Sequence, residues 1–223
     1  MDIIILLIGA AISIVAQIYV TGNYSKYKKV ATKSQMTGLE VARTILDSHG
    51  LNNVYVVETN GMLSDHYDPS RKVVRLSNEI FHGTSIASYS VAAHEVGHAI
   101  QDKEKYNFMQ FRSKIFPMVN ISSYGGYIAV LIGLIFGHPE TFWIGIALEL
   151  VVLFFQLITL PVEFDASRRA LAELKKHELL SKKELTSSKK MLNAAAFTYV
   201  AGVINTILQI LRLILIFGNT NRD

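Results

Sequence analysis

The sequence predicts a mostly α-helical membrane protein, with four transmembrane helices and a small α+β domain on the cytoplasmic side. Two observations set that class. Half of the 223 residues are apolar and the mean hydropathy is positive, a balance outside the usual range for a soluble domain of this size. Four runs, at residues 3–20, 119–137, 141–160 and 194–217, approach or exceed the roughly 20 apolar residues that a helix needs to cross a bilayer.

The first run, Ile3 to Val20, reads as a retained anchor. No basic residue precedes it, and its exit, Gln17-Ile18-Tyr19-Val20, offers no small-x-small cleavage site. Residues 21–117 then form the cytoplasmic α+β domain. Thr37-Gly38-Leu39-Glu40 has the form of a capping box, and Leu39, Ala42, Ile45 and Leu46 repeat at helical spacing until Gly50, so a helix of about eleven residues is expected there. Val54-Tyr55-Val56-Val57 and Lys72-Val73-Val74-Arg75-Leu76 are rich in β-branched residues. With a turn expected at Tyr67-Asp68-Pro69-Ser70 between them, they predict a sheet of two or three strands.

From about Thr84 to Lys103 there is no proline, and Ile86, Val91, Ala92, Val96 and Ala99 supply a partly apolar helix. The second and third spans follow. Residues 161–193 read as a cytoplasmic helical segment, with Pro161 at a helix start and one or two surface helices from Ala166 to Leu192. The fourth span carries Asn205, Gln209 and Arg212 at helical spacing. This polar stripe is expected to face Glu149 of the third span, since Asn205 and Glu149 both lie roughly 16.5 Å from the cytoplasmic ends of their helices at 1.5 Å per residue.

Charge gives the orientation. Of 22 Lys and Arg, 12 fall between Tyr24 and Lys114 and 8 between Arg168 and Lys190, whereas the connection from Gly137 to Glu140 has none. With four spans the two basic segments share a side, and the positive-inside rule makes it cytoplasmic, with both termini outside. The net charge of +4 therefore follows membrane topology, and with no fold motif or aromatic-basic interleaving it does not point to nucleic acid. The chain has no cysteine, which excludes disulfides and thiolate metal sites. Any metal must be held by histidine and carboxylate.

His94-Glu95-Val96-Gly97-His98 fits the H-E-x-x-H pattern, in which two histidines one helical turn apart present imidazoles on the same face and can chelate one zinc. Glu95 then stands beside the metal as the catalytic base, placed to take the proton of an attacking water. Small residues Ala92, Ala93, Gly97 and Ala99 surround the motif and leave room for close packing.

A catalytic zinc takes three protein ligands and leaves its fourth position open. His138 and Glu140 fall on the far side and Glu149 within a span, so the candidate third ligand is Glu163, at the foot of the third span. Its plainer alternative is an acid near a helix N-terminus. Asp165 points elsewhere on the same helix.

The stretch His94 to His98 with Ala99-Ile100-Gln101, the segment Ser64-Asp65-His66-Tyr67-Asp68-Pro69, and Pro161 to Arg169 together resemble the YugP-like membrane zinc metallopeptidases, over nearly the whole chain. The resemblance implies a zincin-like domain, a neutral zinc metallopeptidase activity, His94, His98 and Glu163 as ligands, and Glu95 as base. More distantly the chain is similar to gluzincins of the HtpX type, which carry Glu-x-x-x-Asp at this point. Here the fourth position after Glu163 is Ser167, so the carboxylate that would orient a ligand histidine is missing or supplied elsewhere.

The expected activity is hydrolysis of peptide bonds in peptide or protein substrates, membrane proteins among them, at the cytoplasmic face of the cell membrane. An extended substrate would pair with an edge strand of the sheet. The oxyanion-stabilising group is not selected by spacing: His66, Tyr67, Arg168, His177 and Tyr199 are all open, and the ordinary role for His66 is a turn histidine paired to a carboxylate. Two other classes fit the same motif: a zinc-containing membrane scaffold that works by binding partners, and a zinc hydrolase of non-peptide amides.

Overall fold

A computed structural model describes residues 2–220. It is mostly helical, with four apolar helices long enough to cross a membrane and one small sheet. In chain order the elements are α1 (Asp2–Tyr27), α2 (Gly38–Ser48), β1 (Tyr55–Thr59), β2 (His66–Asp68), β3 (Val73–Ser77), α3 (Asn78–Phe81), α4 (Ile86–Lys103), α5 (Asn107–Phe136), α6 (Pro139–Lys176) and α7 (Lys182–Thr220). Two compact units divide them.

The helical unit draws on Met1–Gln17, Gln110–Pro161 and Phe197–Asp223. Its interior packs Val130, Phe142, Ile146 and Ile210, with the Phe142 and Phe217 rings stacked at 4.1 Å. Glycine sets how closely α5 and α6 approach: a Cβ at Gly133 would lie 2.6 Å from the Phe142 backbone. Close approach of backbones at a glycine is how helices associate in lipid, where no hydrophobic drive between them exists. Large apolar side chains such as Ile121, Ile128, Ile135, Ile144 and Phe154 remain exposed. Glu149 and Asn205 line one cavity of about 360 Å³ together with Ser13, Gln209 and Arg212, as their matched depth predicts. The Asn205 amide donates to Ser13 Oγ at 2.6 Å.

The sheet-bearing unit comprises Ile18–Met109 and Val162–Ala196. Helix α2 has the expected eleven residues and a complete capping box, Glu40 N–H donating to Thr37 Oγ1 at 3.2 Å and Thr37 N–H to Glu40 Oε2 at 2.7 Å. It buries Val41, Ala42, Ile45 and Leu46 in one core with Tyr89, Val96 and Ile100 of α4. The sheet order is β1-β3-β2, with β1 parallel and β2 antiparallel to β3.

Two expectations need correction. Tyr67 and Asp68 belong to strand β2 and not to a turn; the reversal lies one step later, where Asp68 Oδ1 accepts from the Ser70 and Arg71 amides at 3.0 and 3.1 Å. Nor does Pro161 start a helix. It sits inside the 38-residue α6, so the third apolar run and the segment after it belong to one helix, and residues 182–192 open α7 instead of forming a separate surface helix. A proline inside a helix loses its bond to the carbonyl four residues back, Leu157 here, and its ring crowds that carbonyl, a cost the rest of α6 carries.

Candidate metal centre

Helix α4 begins at Ser85, whose side chain caps the Ser88 amide, and runs unbroken to Lys103. It therefore places His94 and His98 one turn apart, their ring centroids 4.8 Å apart and nearly perpendicular. Glu163 comes from the part of α6 in the same unit. Gly97 allows the two helices to meet, because a Cβ there would lie 2.7 Å from the Ala166 carbonyl oxygen.

Glu163 Oε2 stands 3.3 Å from His94 Nε2 and 3.6 Å from His98 Nε2. One donor atom from each of the three residues lies within 4.8 Å of the others, the one such cluster among the described residues. Ligand atoms around a tetrahedral zinc at about 2.1 Å are roughly 3.4 Å apart, and the two histidine–carboxylate spacings, 3.3 and 3.6 Å, fit the ion.

The other ring nitrogens are held. His98 Nδ1 meets Gln101 Oε1 at 3.0 Å, while the Gln101 amide donates to Val162 O at 2.8 Å and to Asp165 Oδ2 at 3.0 Å. With both acceptors on the amide side, the Gln101 oxygen must face the histidine, and His98 must donate from Nδ1. Its Nε2 lone pair is then free for a metal. His94 Nδ1 meets Ser167 Oγ at 3.2 Å. Asp165 does not join the ligand cluster; besides Gln101 it accepts from Arg168 and Arg169.

Glu95 is 7% exposed. Burial pushes its carboxyl up to about 7; His94 opposes the shift, the negative charges of Glu163 and Asp65 add to it, and the Tyr67 backbone N–H bonds the ionised form. For Glu163, burial also raises the pKa, but the adjacent His94 and His98 rings outweigh it and hold the carboxyl well below the usual range. The two carboxylates are thereby split, one kept ionised beside the imidazoles and one poised to take a proton.

The side chains of four of the five candidate oxyanion residues are engaged in other contacts. His66 lies on β2 with Nδ1 2.8 Å from the Ser64 carbonyl, not in a turn and not hydrogen-bonded to a carboxylate. The Tyr67 hydroxyl donates to Asp102 at 2.7 Å, Arg168 to Asp165, and His177 meets Ser48 at 3.0 Å and Glu173 at 3.2 Å. Tyr199 belongs to the helical unit. Sequence reasoning missed Gln101 as an orienting group, although it follows His98 by one helical turn. It also missed Asp65, which accepts from the Ser77 amide at 2.7 Å and adds its charge beside Glu95.

Residues 2–218 match the family described as "Putative neutral zinc metallopeptidase". The chain belongs to this family. A relative from Bacillus subtilis (strain 168), named "Putative membrane protease YugP", is 46% identical over 204 residues, which cover 92% of this chain and 91% of its own. No solved structure shows a significant match. Membership of a zinc peptidase family implies zinc, and His94, His98 and Glu163 are the candidate residues to hold it.

Proposed function

We propose that this chain is a membrane-embedded zinc endopeptidase whose active site is the His94, Glu95, His98 and Glu163 cluster, in a zincin-like domain of the gluzincin type on the cytoplasmic side. The observation that carries the reading is the convergence of the His94 and His98 Nε2 atoms on one Glu163 oxygen, at 3.3 and 3.6 Å, with Glu95 buried in the same motif. A bound zinc would polarise the scissile carbonyl and lower the pKa of the attacking water.

The chain's own residues do the rest. Glu95 accepts the water proton and returns it to the leaving amine, a role suited to a carboxyl near neutrality. Glu163 would hold a bound cation together with His94 and His98 and would balance part of its charge. Gln101 and Ser167 fix the two rings with Nε2 turned inward, doing for this chain what an acid four residues after Glu163 does in HtpX-type enzymes. Strand β2 is an edge of the sheet, and its Tyr67 amide touches Glu95. An extended substrate paired to that edge would pass along the catalytic carboxylate.

The test is metal content and peptide cleavage of the purified full chain, wild type against Glu95→Gln. The variant should hold stoichiometric zinc and lose nearly all hydrolysis, because an amide keeps the shape but takes no proton. Residual activity within about tenfold of wild type would remove Glu95 as the base, since general-base catalysis supplies roughly 10²- to 10⁴-fold. Cleavage of a non-peptide amide in preference to any peptide would move the chain to another hydrolase class.

A further inference from the structure

The cavity of about 360 Å³ in the helical unit brings an acid and a base together at membrane depth, since Glu149 of α6 and Arg212 of α7 both line it. Their side chains form no ion pair or hydrogen bond among the described residues. We propose that this cavity binds a short peptide with both termini free, its ammonium on Glu149, its carboxylate on Arg212 and a peptide group on Gln209. The proposal rests on the reading that the four long helices cross a bilayer, and is independent of the metal chemistry.

Access and unmet charge are the first argument. The Glu149 carboxylate oxygens, the Gln209 amide and the terminal nitrogens of Arg212 make no hydrogen bond among the described residues, and none of these atoms is buried. Each can be reached from the cavity that all three residues line. Asn205 plays a different part. Its amide donates to Ser13 Oγ at 2.6 Å and its oxygen is buried, so it ties α1 to α7 and builds the wall. Ionisable residues within a span are costly, and they pair with one another or line the path of a substrate. Glu149 and Arg212 do not pair.

Spacing is the second, and it selects the ligand. Asn205, level with Glu149 in depth, lies two helical turns before Arg212 on α7. At 1.5 Å per residue the base therefore stands roughly 10.5 Å beyond the acid along the bundle. A simple ion meets one of the two and leaves the other charge without a partner. A free amino acid carries both charges but spans only about 3.5 Å. Three extended residues reach about 10 Å, so a tripeptide bridges acid and base. Gln209 stands between them in the same stripe, and its amide both donates and accepts, as a peptide group requires. Ile5, Leu6 and Leu208 complete the lining and suit small apolar side chains.

Trialanine, its N-acetylated form, its C-terminal amide and free alanine should be titrated calorimetrically into the full chain, purified in detergent and carrying Glu95→Gln so that no peptide is cleaved. Trialanine should bind at one site per chain that needs both termini: each cap should weaken it about tenfold or more, the size of one charge-assisted hydrogen bond. Alanine should bind no better than the capped peptides. Once Glu149→Gln is added, acetylation should cost nothing further, and with Arg212→Gln amidation should cost nothing further, while both variants keep their zinc content. A peptide lying in the metal centre would not match each terminus to its own residue in this way. No saturable binding, equal binding of capped and free trialanine, or undiminished trialanine binding in both variants would overturn the site. Alanine held as tightly as trialanine would assign the cavity to a free amino acid and overturn the peptide assignment. A chain that stays soluble after lysis without detergent would instead overturn the membrane reading beneath it.

Discussion

At the scale of single residues, a histidine becomes a good zinc ligand only when its far nitrogen is tied. Gln101 ties His98 with its oxygen because Val162 O and Asp165 fill its amide side. Gln101→Leu keeps the volume and removes the acceptor, so zinc affinity should fall about 10- to 100-fold, the usual effect of losing such a partner. Competition with a chromophoric chelator measures it, and an affinity equal to wild type would show that Gln101 does not orient His98. Ser167→Ala should cost less, since a hydroxyl is a weaker acceptor than a polarised amide. Helical spacing and span height bring His94, Glu95, His98 and Glu163 forward as candidates in the sequence, and the fold groups the donor atoms of His94, His98 and Glu163. Gln101 was not legible there, because its role depends on which nitrogen of His98 faces inward, and that depends on Val162 and Asp165, more than sixty residues away in the chain.

At the scale of elements, the contact between α4 and α6 decides whether the three donor atoms meet at all. Gly97 is the point of closest approach, and its missing Cβ would stand 2.7 Å from the Ala166 carbonyl oxygen, a backbone atom that cannot swing aside. Gly97→Ala must therefore push the helices apart by a few tenths of an ångström, with a cost of about 1–3 kcal/mol typical of overpacking. Glu163 should move off the histidines, so that zinc content falls and thermal stability drops, whereas Gly22→Ala, facing open space, should leave both unchanged. Stoichiometric zinc in Gly97→Ala would show that the contact is not what sets the cage. Helix α2 was legible down to its length because capping and periodicity agree. Strand β2 was not, since Pro69 and its neighbours signal a turn and only pairing with β3 shows that Tyr67 and Asp68 precede it. Pro161 misled in the same way: local chemistry favours a helix start, and the structure carries the helix through.

At the scale of the whole molecule, the question is which side of the membrane the metal centre faces. Parts of the chain far apart in sequence are tied within the sheet-bearing unit: Lys33 N–H donates to Glu184 at 3.0 Å and Ser90 Oγ to Ser188 Oγ at 2.7 Å. Lys28, Lys103 and Lys183 all belong to that unit, so they must share a side. Pro139 opens α6. From there to Glu163 the helix rises roughly 36 Å at 1.5 Å per residue, more than the ~30 Å of a hydrocarbon core. If α6 crosses, Pro139 and Glu163 lie on opposite sides. Charge then chooses between the two orientations: the segments holding the three lysines carry 20 of the 22 basic residues, and the connection at Pro139 carries none. Because the chain has no native cysteine, single cysteines at Lys28, Lys103, Lys183 and Pro139 give a clean readout with an impermeant thiol reagent on intact cells. Pro139→Cys should label, and the other three should label only after the membrane is opened. Labelling at all three lysine sites with protection at Pro139 would invert the orientation and put the site outside. Labelling at Lys183 alone would contradict the fold itself, because Lys183 cannot leave the side on which Glu184 meets Lys33.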